Sequence, residues 1–331
     1  MQFGVAVVFL LVCASIFVNG WTDSPNAIAT VVSTRVIKPK PAIAMAALCN
    51  FLGVFLSGSA VAETTKTMVE IGKGNEALIT LGAAQLSIVL WSTSAWKFGI
   101  PTSESHALIA GLMGAGISLN GFKAVNGGAV IKVFWGLAIS SVVGFVLGFA
   151  ATKAIELSCA NVNRRKANRF FSFGQMASAA LMAFSHGAQD GQKFFGVLLL
   201  VLTVGEIKTG GPVPLLLMLA CSLIMAFGTS IGGYRIIKTM GVDMVNLEKY
   251  QGFAAEIVAS GSMLAATAFG IPLSTTNTKA TAMMGAGATR GLGAVNWGIA
   301  KEMVVAWVLT FPACLILGYL FAVFFRFLFS L

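Results

Sequence analysis

One patterned stretch occurs twice in this chain, and that duplication limits the possible folds more than any other feature. Residues 83–116 run from Ala83-Ala84-Gln85 through Phe98-Gly99-Ile100-Pro101-Thr102-Ser103-Glu104-Ser105-His106 to Met113-Gly114-Ala115-Gly116. Residues 254–287 run from Ala254-Ala255-Glu256 through Phe269-Gly270-Ile271-Pro272-Leu273-Ser274-Thr275-Thr276-Asn277 to Met284-Gly285-Ala286-Gly287. The offset is 171 throughout (Pro101 to Pro272), with no gap. Each copy interrupts an apolar segment with Gly-Ile-Pro and then places hydroxyl residues in the next few positions. Matched interruptions in two halves point to a substrate site inside a membrane transporter.

The duplication extends further back. Asn19-Gly20-Trp21-Thr22-Asp23 and His186-Gly187-Ala188-Gln189-Asp190 each precede an apolar run, and their aspartates are 167 residues apart. The chain therefore reads as two homologous transmembrane repeats, 1–152 and 171–331, joined by a basic linker at 153–170. Mean hydropathy is +0.86 and charged residues make up 10 % of 331, which places the chain in the membrane. Barrel-type alternation is absent, so the expected class is an all-α polytopic membrane protein. At about 20 residues per crossing, with half-length broken helices allowed, it has room for roughly ten to twelve spans.

The net charge of +10 does not point to nucleic acid, because the basic residues occupy connections. Arg35, Lys38 and Lys40 share one; Lys153, Arg164, Arg165, Lys166 and Arg169 share another. Such clusters mark cytoplasmic loops, which places the central loop in the cytoplasm and the amino terminus outside. The first apolar run (3–18) has no basic residue before it, so it reads as a span and not a signal peptide. The region after the second aspartate element (202–208) holds only Glu206 and Lys208, and this asymmetry favours inverted repeats. The five cysteines lack metal spacing and read as packing residues. Gly144-x-x-x-Gly148 and Gly287-x-x-x-Gly291 read as ordinary small-residue helix packing.

The Gly-Ile-Pro elements read as helix starts with proline at the first helical position. A helix start offers unpaired N–H groups and the positive end of a dipole. Thr102, Ser103 and Ser105 in one half, and Ser274, Thr275 and Thr276 in the other, add hydroxyl donors. Two such starts would cage a small oxyanion; the bland alternative is that these residues only cap broken helices. Asp23 and Asp190 border membrane segments, where an ionisable group is costly and so a functional candidate. Two carboxylates beside an anion require a cation or protonation, which couples the two as symport. Asn26 and Lys193 each follow an aspartate by three residues, so the two cation environments differ. Glu256, at the place of Gln85, is a candidate for cation work or a structural acid. Glu63 and Lys66 form a local pair. The two histidines, His106 and His186, have no apparent ligand set, so a metalloenzyme is not expected.

At these residues the chain resembles the inorganic phosphate transporter (PiT) family. The family's Gly-Ala-Asn-Asp type signature is matched at Gly20-Trp21-Thr22-Asp23-Ser24-Pro25-Asn26 and at His186-Gly187-Ala188-Gln189-Asp190-Gly191-Gln192-Lys193. Its Pro-Val-Ser-Thr-Thr-His type element is matched at Pro101–His106 and Pro272–Asn277. The resemblance implies a dimeric multi-pass carrier of the cell membrane, not an enzyme, importing inorganic phosphate with sodium as co-substrate and no cofactor. It assigns the cations to Asp23 and Asp190 with Asn26, Thr22 and Gln189 in support, and phosphate to the Ser/Thr elements. Departures are Thr22 and Gln189 for the signature asparagine, Asn277 for histidine, and Glu104 where the other half has Thr275. Proton coupling, and sulfate or another oxyanion as cargo, remain the alternatives; Glu104, Lys193 and Glu256 are further candidates for the site.

Overall fold

The computed structural model describes residues 2–66, 71, 74–207 and 210–328; Lys208, used above for orientation, lies outside them. Among the described residues the chain is helical, with no strand beyond one isolated bridge, Val245 to Val295. The first seven helices are α1 (Gln2–Thr22), α2 (Pro25–Ser33), α3 (Pro39–Leu56), α4 (Ala60–Lys66), α5 (Gly74–Lys97), α6 (Glu104–Asn120) and α7 (Gly127–Ser158). Then come α8 (Arg164–His186), α9 (Gln192–Val204), α10 (Val213–Ile231), α11 (Tyr234–Lys238), α12 (Lys249–Ala268), α13 (Thr275–Ala288) and α14 (Trp297–Leu328). Both series share one order of long and short elements. The starts of α6 and α13 differ by the same 171 residues as the motifs. The junction between the series is short, since α7 runs to Ser158 and α8 begins at Arg164.

Among the described residues, seven helical stretches are long and apolar enough to cross a membrane, α1 and α2 counting as one. The count falls below ten to twelve because α8, α9, α12 and α13 are either short or rich in polar residues. α13 shows why that is compatible with a membrane: it carries Thr, Asn and Lys, and every residue from Thr275 to Ala288 is buried. A helix with no lipid-facing side needs no lipid-like residues, provided its polar groups find partners. By contrast, α7 and α14 turn Trp135, Ile139, Val142, Val308, Ile316 and Leu320 outward, as a surface solvated by acyl chains requires.

The two series interlock. α1 packs on α10 and α3 on α8; α6 packs on α14 and α7 on α13, so each main pair has a counterpart with the halves exchanged. Glycines permit the closest crossings. A Cβ on Gly20 would stand 2.3 Å from the Met225 carbonyl oxygen, and one on Gly228 2.2 Å from that of Phe17. At the matching crossing, Gly53 would meet Phe184 O at 2.1 Å and Gly187 would meet Asn50 O at 2.3 Å. Close approach of this kind suits helices that cannot rely on hydrophobic burial from water. Gly144 and Gly148 likewise press on α13, whereas Gly291 sits at φ 114° with open space around it and serves a turn; that half of its pair is not a packing motif.

Candidate functional site

Both Gly-Ile-Pro elements end one helix and begin another, but the start lies later than the proline rule places it. Pro101 and Pro272 are not helical; Ser103 and Ser274 are the N-caps, in extended conformation, and the helices begin at Glu104 and Thr275. Ser103 Oγ accepts from His106 N at 3.4 Å and Ser274 Oγ from Asn277 N at 3.2 Å. A capping serine satisfies one of the orphan donors of the first turn, and both serines do so here. Their hydroxyls also meet each other, Ser274 Oγ donating to Ser103 Oγ at 2.8 Å.

The first-turn hydroxyls reach the aspartates. Asp23 sits in the break between α1 and α2, and Asp190 in a single π-turn, Gly187–Gly191, between α8 and α9. Such turns inside helices often accompany functional sites. Neither aspartate is solvated: Asp23 is 2 % and Asp190 1 % exposed. Thr275 Oγ1 joins them, 3.0 Å from Asp23 Oδ2 and 3.2 Å from Asp190 Oδ2.

Around this bridge the two halves repeat one arrangement. Asn26 Nδ2 donates to Asp23 Oδ1 at 2.5 Å and to Thr276 Oγ1 at 3.1 Å. Thr276 Oγ1 is also bonded to Asp23 Oδ1 and lies 3.1 Å from the Thr102 carbonyl. In the other half, Lys193 Nζ donates at 2.6 Å to Asp190 Oδ1 and at 2.6 Å to Ser105 Oγ. Ser105 Oγ donates to the Leu273 carbonyl at 3.1 Å. Asp23, Asn26, Thr276 and Thr102 thus correspond to Asp190, Lys193, Ser105 and Leu273. Thr102 enters through its carbonyl. Thr22 turns to Glu104, donating to Oε1 at 2.5 Å, while Gln189 holds the segment before α13, donating to Thr267 Oγ1 at 3.0 Å and to Ile271 O at 3.3 Å. Glu104 is buried with Oε2 unpartnered among the described residues.

His186 corrects one expectation. The sequence shows no ligand set for it, yet the fold brings Asp23, His186 and Asp190 together with ligand atoms within 4.8 Å of one another. His186 Nε2 is 3.4 Å from Asp190 Oδ2 and 3.9 Å from Asp23 Oδ2. Its Nδ1 is 2.9 Å from Asn50 Oδ1, the natural acceptor for Nδ1–H. A neutral ring so oriented would turn a lone pair toward two carboxylate oxygens. The three ligand atoms together could hold a cation. Asn50 is held in turn by Ser24 Oγ at 2.9 Å and Thr229 Oγ1 at 3.1 Å, and Asn19 Nδ2 donates to Asp190 Oδ2 at 3.3 Å. The His186–Asp190 spacing of one turn was visible in the sequence; the arrival of Asn50 from α3 was not.

Glu256 lies apart from this cluster. It is fully buried and paired with Lys279, Nζ to Oε1 3.6 Å, with Ser178 donating to Oε2 at 2.5 Å and Thr30 to Oε1. Lys279 escaped the sequence reading, although a lysine in a helix lacking any solvent face signals a buried acid nearby. Glu63 and Lys66 form the local pair expected, at 2.8 Å.

Two stretches of the chain, 19–163 and 156–318, each match the model of the phosphate transporter family. The chain belongs to the phosphate transporter family. The doubled match has the same two-part organisation as the motifs. Among the relatives of this family member, a Bacillus subtilis protein named "Probable low-affinity inorganic phosphate transporter" is 35 % identical, over 95 % of each chain. A Rhizobium meliloti protein of the same name is 38 % identical, over 91 % of this chain and 90 % of its own. In fold, the chain is similar to a solved structure titled "The sodium-dependent phosphate transporter", with TM-score 0.90 and 22 % identity, covering 99 % of this chain and all of that one. Membership of this transporter family and the long apolar helices make the chain a multi-pass membrane protein and not an enzyme.

Proposed function

We propose that this chain imports inorganic phosphate by symport with sodium. The observation that carries the reading is the meeting of two capped helix starts at Ser103 and Ser274, directly beside the paired Asp23 and Asp190. Phosphate is held by Ser103 and Ser274, by the first-turn N–H groups of α6 and α13, and by Thr102, Ser105, Thr275 and Thr276. Sodium is held at Asp23 and Asp190, with Asn26 in support, and Thr22 and Gln189 order the segments on either side. The names of the relatives and of the similar structure support phosphate and sodium.

The hydroxyls supply the coupling. Thr275 and Thr276 direct their protons at carboxylates, so they are not donors to an anion. A cation on Asp23 lowers the demand for those protons and frees both hydroxyls to turn toward phosphate. It also cancels the repulsion that two carboxylates would exert on the anion. Protons could act in the same way and are the alternative. Glu104, with an unpartnered oxygen, favours an anion that can donate a hydrogen bond, which phosphate does and sulfate at neutral pH does not.

The exchanged packing of α1–α7 and α8–α14 supports two inverted repeats, 1–152 and 171–331 about a basic 153–170 linker. In this reading there are ten to twelve spans once the polar buried helices are included, the amino terminus is outside, the linker is cytoplasmic, and the carrier is a homodimer. The test is uptake of radiolabelled phosphate by proteoliposomes under an inward sodium gradient, an inward proton gradient or neither, with excess sulfate as competitor. Sodium-driven uptake indifferent to sulfate is expected. Proton-driven uptake would replace the ion, and uptake abolished by sulfate would replace the cargo.

A further inference from the structure

Lys193 has the surroundings of a bound ion. Its ammonium group lies 2.6 Å from each of three oxygens: Asp190 Oδ1, Ser105 Oγ and the Leu273 carbonyl. A carboxylate, a hydroxyl and a backbone carbonyl beside a helix break form the donor set of a hard cation in a transporter. An ammonium has three protons, and all three are directed at these oxygens. The lysine side chain is 4 % exposed, so the contacts are shielded from bulk water.

The equivalent place in the other half has the same oxygens and no charge. Asp23 Oδ1, Thr276 Oγ1 and the Thr102 carbonyl stand where Asp190 Oδ1, Ser105 Oγ and the Leu273 carbonyl stand. The residue in the lysine's place is the neutral Asn26. The amide of Asn26 donates to Asp23 and Thr276, and its own Oδ1 is buried without a partner among the described residues. That half therefore has a neutral amide where the other has an ammonium, a buried amide oxygen still without a partner, and a carboxylate oxygen that no lysine reaches. Burying a carboxylate without a positive partner is costly; no lysine reaches Asp23 Oδ1, and the nearest basic group, His186 Nε2, lies 3.9 Å from the other oxygen, Oδ2.

We infer that Lys193 is a tethered cation that permanently fills one of two repeat-related cation positions. Of this pair, only the Asp23–Asn26–Thr276 position takes an exchangeable cation. The sodium proposed above therefore enters singly at these two positions, and Asp190 meets it only through Oδ2, its Oδ1 being engaged by Lys193. The consequence is a lower cation cost per phosphate than a carrier with asparagine at both places would have. The inference rests on the sodium-coupled reading for the identity of the ion.

The test is the number of sodium ions bound per purified full-length chain, measured with ²²Na⁺ and paired with sodium-driven phosphate uptake. One ion is expected for the natural chain. Lys193→Asn opens the second position and is expected to bind two, with a steeper dependence of uptake on sodium concentration. Asn26→Lys closes the first and is expected to bind none and to lose sodium stimulation. The natural-chain count and Asn26→Lys test the inference even where Lys193→Asn fails to fold. Two ions on the natural chain with sodium-driven uptake intact, or an unchanged count in a folded Lys193→Asn protein, would overturn the tethered cation and leave symport standing. No bound sodium on the natural chain, with proton-driven uptake, would overturn the sodium reading and this inference together.

Discussion

The hydroxyls of Ser103 and Ser274 stand 2.8 Å apart, each at the N-cap of its helix and each at the same place in its half of the chain. The two repeat motifs thus meet directly through equivalent residues. Removing either hydroxyl removes a cap, at about 1 kcal/mol, and one side of the shared bond. Ser103→Ala and Ser274→Ala should each lower the unfolding temperature in detergent and raise the KM for phosphate. The double variant should cost less than the sum of the two, because both singles break the same bond. Strict additivity in both readouts would mean that the contact carries no energy.

Asp23 and Asp190 should respond differently to neutralisation. Asp190→Asn leaves the Lys193 ammonium buried among neutral partners, a change that typically costs about 3–5 kcal/mol. Asp23→Asn strands no side-chain ammonium. Thermal unfolding should therefore fall much further for Asp190→Asn, while Asp23→Asn stays folded and loses the sodium dependence of uptake. An Asp23→Asn protein with unaltered sodium response would remove Asp23 from the coupling site.

The Glu256–Lys279 pair should behave as a structural unit. Lys279→Met leaves a fully buried carboxylate with only Ser178 and Thr30 as donors, and should destabilise by about 3–5 kcal/mol. The combined Glu256→Gln, Lys279→Met protein should recover much of that loss, since no charge is then stranded. Unfolding temperatures of the singles and the double, together with uptake by the double, provide the check. Loss of transport in a fully stable double variant would assign the pair a part in the cycle.

Glycine substitutions should divide according to what a methyl group meets. Gly53→Ala drives a carbon to 2.1 Å from the Phe184 carbonyl oxygen, so α3 and the end of α8 must separate, and Asp190 moves with them. Gly261→Ala meets nothing within 4 Å in the middle of α12 and should stabilise by up to about 1 kcal/mol through helix propensity. Yield, unfolding temperature and uptake should all fall for the first variant and hold or rise for the second.

The sequence already contained much of this site because the duplication is local and ungapped. Residues at fixed offsets, Asn26 with Lys193 and Thr276 with Ser105, fall in equivalent places, and the expected difference between the two cation environments follows from reading those offsets. What escaped depends on contacts between helices far apart in the chain. Nothing in the spacing of Lys279 names Glu256, and nothing near His186 announces Asn50 or Asp23. The helix starts lie three residues later than the proline rule places them because Pro101-Thr102 and Pro272-Leu273 are not helical and the serines cap instead. The seven apolar spans among the described residues lie below the ten to twelve expected from the sequence for a related reason: hydropathy measures a helix's fitness for lipid, and every residue of α13 is buried.

The exchange of partners between the two series also governs how the chain can be made. When α1 and α3 leave the ribosome, the faces carrying Gly20 and Gly53 meet helices not yet synthesised. Gly53 waits for Phe184, and Gly20 waits until Gly228 has been added. A truncated product would lack the second-half helices that these faces pack against. Neither half is a domain in the folding sense, however clearly the duplication divides them on paper. The close crossings of the first half are complete only when the second half is present.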